Sequence, residues 1–154
     1  MSETTSAERW FAAYSADHQH PLNQQLHTIC VPAIAWSLTA LLYAIPTGTG
    51  IDGLVSWVFG AAALVFWWLQ MPRGVAIAVT VFMALVYGLT IWLQATWGSG
   101  GLVLAGTLVF VVAWIGQFVG HHYEGKRPSF FTDLVYLLIG PPWVLVKLYR
   151  GASA

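Results

Sequence analysis

Residues 114–128 read Trp114-Ile115-Gly116-Gln117-Phe118-Val119-Gly120-His121-His122-Tyr123-Glu124-Gly125-Lys126-Arg127-Pro128. The stretch begins as a hydrophobic helix and ends in two histidines, a glutamate and two cations. Three other histidines, His18, His20 and His27, lie near the N-terminus, and residues 28–120 contain none. The pattern predicts a chain whose two polar ends meet at one membrane face, with a metal held where they meet.

Composition supports the membrane part of this reading. The chain has 154 residues, 58% hydrophobic and 8% charged. Soluble domains carry roughly 25% charged residues, so too few charges are present here to coat a water-facing surface. The length fits a single membrane domain over 1–154. Net charge is zero, which gives no pull toward nucleic acid. Cys30 is the only cysteine and sits in an apolar run, the setting of a buried, inert thiol. The first ten residues hold two glutamates and an arginine without a long apolar run, unlike a cleavable signal peptide.

Outward from the anchor stretch, apolar runs alternate with turns. Trp10, Phe11 and Tyr14 share one face of a short helix and suit a membrane interface. His20-Pro21 reads as a helix start, because proline at the first helical position loses no bond. Spans are expected at about 26–45, 54–70, 75–93 and 102–120; the first, at 20 residues, is about 30 Å long and able to cross the hydrocarbon. Pro32 is expected to kink it. Pro46 to Gly50, Met71 to Gly74 and Gly98 to Gly101 read as turns. The stretch 130–146 is interrupted by Gly140-Pro141-Pro142 and is expected as a re-entrant or surface pair of short helices. The predicted fold is therefore an all-α integral membrane four-helix bundle with an interfacial N-terminal segment.

The cations orient it. With the N-terminus cytoplasmic, Arg9, Arg73, Lys126, Arg127, Lys147 and Arg150 all fall inside, and the opposite loops 46–53 and 94–101 carry no Lys or Arg. That is the positive-inside pattern. His27, at the start of the first span, and His121 and His122, at the end of the fourth, then share the cytoplasmic layer. Asn23 precedes His27 by four residues, and Gln117 precedes His121 by four, so each pair points to one helix face. Ligand histidines usually donate their second ring N–H to such a partner. His121 and Glu124 are three apart, and imidazole with carboxylate suits iron or zinc. Lys126 and Arg127 read as topology anchors that also attract an acidic headgroup or carboxylate.

These residues carry a family resemblance. Tyr14, His18, Pro21, Asn23, His27 and Val31-Pro32, followed by Gln117-Phe118-Val119-Gly120-His121, Glu124, Arg127-Pro128 and Leu134, together resemble the membrane-embedded 2-hydroxy fatty acid dioxygenases. The two blocks cover about a third of the chain, and their occurrence in this order is specific. The resemblance implies an iron(II)-dependent enzyme that shortens 2-hydroxy fatty acids by one carbon with molecular oxygen. It implies His18, His27 and His121 as catalytic iron ligands, with His122 and Glu124 as further candidates. A bacterial inner membrane is the expected location, with lipid around the spans. Two other readings stay open on the residues alone: a haem protein with axial histidines, and a non-catalytic membrane scaffold or partner subunit.

Overall fold

His20-Pro21 opens a helix for local reasons: the His20 Nδ1 accepts the Leu22 N–H at 3.2 Å, and Pro21 occupies the first turn. In the computed structural model the described residues are 6–125 and 130–152, with side chains over 7–125 and 136–149. Among them are five helices and no strand: α1 (Ser6–Ala16), α2 (Pro21–Tyr43), α3 (Leu54–Gln70), α4 (Arg73–Glu124) and α5 (Phe130–Ala152). α2 continues through Pro32.

Side-chain contacts give the directions. Ser56 near the start of α3 bonds the Thr39 carbonyl near the end of α2, so the two run antiparallel about a short connection. In the first part of α4, Thr80 meets Trp68 and Tyr87 meets Ser56, again antiparallel. In the second part, Gly106 faces Ala40 and Leu41, Gly116 faces Cys30, and Gly120 faces Asn23, which is antiparallel to α2. The chain must therefore reverse inside α4. It does so at Gly98, where φ is 67° and ψ is 179°, a conformation glycine adopts without a Cβ penalty. The expected turn at 98–101 is thus confined to one residue.

Close approach of α2 and α4 needs small residues. A Cβ at Gly120 would stand 2.3 Å from Asn23 Oδ1, and one at Gly116 would stand 2.6 Å from Cys30 Sγ. Glycines four apart on one helix face are the usual means of bringing two helix backbones together within lipid. This contact lays the end of α4, with His121, against the beginning of α2, with His27.

One expectation needs correction. The stretch from 130 is one helix, not a broken pair. Pro142 removes the N–H that would bond the Leu138 carbonyl, and Trp67 Nε1 donates to that carbonyl at 2.7 Å. A neighbouring helix thus replaces the lost bond, and Ile139, Trp143 and Val144 are buried around it. The aromatic face of α1, expected at a membrane interface, packs on the protein. Tyr14 is buried, and Trp10 and Phe11 lie against the main core cluster. α5 is tied to this N-terminal part by Trp143 Nε1 donating to Ser15 Oγ at 2.9 Å and Tyr136 Oη donating to Asp17 at 2.8 Å.

Candidate metal centre

His18 follows α1 in a turn closed by main-chain bonds from Asp17 to Tyr14 and from His18 to Ser15. Its Nδ1 lies 2.6 Å from the Tyr14 carbonyl, and its ring stacks on the Tyr14 ring at 4.1 Å and 10°. His27 sits one turn and a half into α2, with Nδ1 2.9 Å from the Asn23 carbonyl. A carbonyl only accepts, so each Nδ1 carries its ring's proton. Each Nε2 is then left with a lone pair, and the two Nε2 atoms lie 3.0 Å apart.

Two lone pairs at that distance repel unless positive charge lies between them. Burial keeps the His18 ring below its ordinary pKa, despite the Tyr14 carbonyl, and so opposes placing a proton there. A divalent cation bound by both nitrogens satisfies the geometry. His121 completes the group: the ligand atoms of His18, His27 and His121 all lie within 4.8 Å of one another, and the three residues are 1%, 3% and 7% exposed. Three convergent, buried imidazoles are a donor set suited to iron, zinc or copper. The 3.0 Å separation of His18 and His27 leaves no room for a porphyrin between them.

The other candidates lie elsewhere. Glu124 is not in the histidine group. Its oxygens accept N–H bonds from Gln19 and His20, each at 2.8 Å, and from Asn23 Nδ2 at 2.9 Å. The carboxylate thereby closes the turn that presents His18 and caps the start of α2. His122 is exposed beside Tyr123 and is not one of the three convergent histidines. His20 caps α2 with its ring 5.8 Å from that of Tyr123. Asn23 serves His27 through its main-chain carbonyl rather than its amide. Gln117 is buried, and its Oε1 has no hydrogen-bond partner, so it does not receive a ring N–H as expected. Lys126 and Arg127 lie outside the described residues.

The histidines open on a cavity whose wall includes Val31, Ala35, Gln117 and Leu137. Tyr136 and Trp143 were not anticipated. Both pack edge or tilted against Tyr14 and His18, with the Tyr14 rings 4.9 and 5.0 Å away. Their spacing of seven on α5 marks one helix face and was the available signal.

Over residues 4–152 the chain matches the family described as 2-hydroxy-palmitic acid dioxygenase Mpo1-like. The chain belongs to the Mpo1-like family. It is similar to the 2-hydroxy-palmitic acid dioxygenase MPO1 of Saccharomyces cerevisiae, with 26% identity over 137 residues, covering 86% of this chain and 73% of the yeast protein. No solved structure matches it. The Mpo1-like match spans both histidine-bearing ends and the apolar helices between them.

Proposed function

We propose that this chain is an iron(II)-dependent dioxygenase that shortens 2-hydroxy fatty acids by one carbon, using molecular oxygen, with His18, His27 and His121 holding the iron. The observation that carries the reading is the pair of Nε2 atoms that face each other at 3.0 Å with their protons fixed on the opposite nitrogens. Membership of the Mpo1-like family and the printed activity of the yeast relative supply the substrate class. Iron bound there supplies the redox chemistry that reduces oxygen and oxidises the carbon next to the carboxyl group.

The chain's own groups set up that chemistry. The Tyr14 and Asn23 carbonyls fix both tautomers and both ring orientations. Tyr136, Trp143 and Leu137 exclude water on the α5 side. Gln117 Oε1, buried in the cavity wall, accepts the hydrogen of the substrate's 2-hydroxyl group. Lys126 and Arg127 neutralise the substrate carboxylate.

The site works in a membrane. α2 and α4 are long and apolar enough to cross one. Leu69, Leu85, Leu104 and Val112 are between 63% and 75% exposed, an apolar surface that water does not tolerate over such an extent. The single domain is an inner-membrane four-helix bundle with the histidines at the cytoplasmic face, where the positive-inside rule places residues 73 and 126. Replacing His121 with alanine abolishes turnover and bound iron together; a fully active H121A variant overturns the assignment.

A further inference from the structure

A second cavity lies deeper in the bundle, walled by Leu38, Leu42, Phe59, Trp67, Met83 and Leu138 among others. Ala35 and Leu137 line both it and the histidine cavity. One face of α2 connects the two. His27, Val31, Ala35, Thr39 and Leu42 succeed one another at intervals of three or four residues, so they form a single stripe from the metal centre inward. Ala35 is the smallest side chain on that stripe and stands where the two cavities adjoin.

The deeper cavity offers an apolar ligand surface. Its polar groups are already engaged with each other. Tyr87 Oη donates to the Ser56 carbonyl at 2.5 Å, and Ser56 Oγ donates to the Thr39 carbonyl at 3.1 Å. Trp67 Nε1 is held by Leu138. A polar ligand would find no unpaired partner among these groups, whereas an acyl chain loses nothing by meeting them. The Ser56–Tyr87–Thr39 knot also forms a rigid end wall. Tyr87 is stacked on Trp57 at 4.1 Å, and its hydroxyl fills the space beside Gly60.

We propose that this cavity receives the acyl chain of the substrate, entering past Ala35, and that the Ser56–Tyr87 wall sets the longest chain accommodated. The inference rests on the function proposed for the histidine centre. Depth supports it. His27 to Thr39 is twelve residues, about 18 Å of helix. A zigzag chain with bonds of ~1.5 Å covers that distance with roughly 15 carbons.

The test compares anaerobic binding of 2-hydroxyhexadecanoic and 2-hydroxyoctanoic acids to iron-loaded protein in lipid nanodiscs. Ala35→Phe narrows the entrance, and Leu42→Trp fills the far end. Each variant should lower the ratio of long-chain to short-chain affinity at least tenfold while keeping its iron. Turnover of both acids by the unaltered protein is measured alongside. An unchanged affinity ratio in both iron-retaining variants, with turnover intact, overturns the acyl-chain assignment and leaves the proposed reaction standing. Absence of turnover in the unaltered protein, with the ratio still shifted, overturns the reaction and supports the cavity. If Ala35→Phe fails to fold, Leu42→Trp decides by the same ratio.

Discussion

Glu124 separates a structural role from a catalytic one at the residue scale. Its carboxylate holds three N–H donors from Gln19, His20 and Asn23, and so fixes the turn between α1 and α2 that carries His18. Glu124→Gln keeps one acceptor oxygen where there were two. We expect this variant to bind iron at the same stoichiometry and to lose about 2 kcal/mol of stability, read by denaturant unfolding in detergent. Loss of iron from a variant with unchanged stability would make Glu124 a ligand instead. The histidines themselves were legible as candidates because all five lie at the chain's two polar ends. Which of them converge was not legible from spacing. Neighbours such as His121 and His122 differ by about 100° around a helix, and only packing against α2 decides that His121 faces inward. The i, i+4 logic located Asn23 correctly but assigned the wrong atom, since helix geometry already brings its carbonyl to the His27 ring.

At the element scale, the helices between the polar ends were readable from apolar runs and glycine-proline turns, with Gly98 as the reversal within α4. α5 was misread because two prolines weigh against a helix in isolation. Their cost is offset by a neighbour that sequence alone does not reveal. Trp67 supplies to the Leu138 carbonyl the hydrogen bond that Pro142 cannot. A double-mutant cycle tests this account. Trp67→Phe should destabilise the protein by about 1–3 kcal/mol, because it leaves a buried carbonyl unpaired. In a Pro142→Ala background the helix recovers its own N–H donor, and the same Trp67→Phe change should cost less than half as much. Equal costs in both backgrounds would mean that the indole contributes packing alone. The glycines of α4 were visible in the sequence, but their function is pairwise: Gly116 and Gly120 matter because Cys30 and Asn23 stand opposite.

At the scale of the whole molecule, the end of α4 and the start of α2 gather His18, His27 and His121 into one layer, and the proposed function places that layer at the cytoplasmic membrane face. Sidedness is tested in a chain lacking Cys30, with a cysteine placed at Thr47 or at Gly74, where an added side chain meets nothing within 4 Å. A membrane-impermeant maleimide should label Thr47→Cys in intact cells and Gly74→Cys only after permeabilisation. The reverse pattern would invert the topology and move the site to the outer face. The most direct measurement is the metal content of anaerobically purified protein, by elemental analysis, beside a His27→Ala, His121→Ala double variant. The account predicts about one iron per chain, absent from the double variant. Zinc in place of iron would direct the chemistry toward hydrolysis. No metal in either sample after iron reconstitution, or iron retained by the double variant, would contradict the histidine centre.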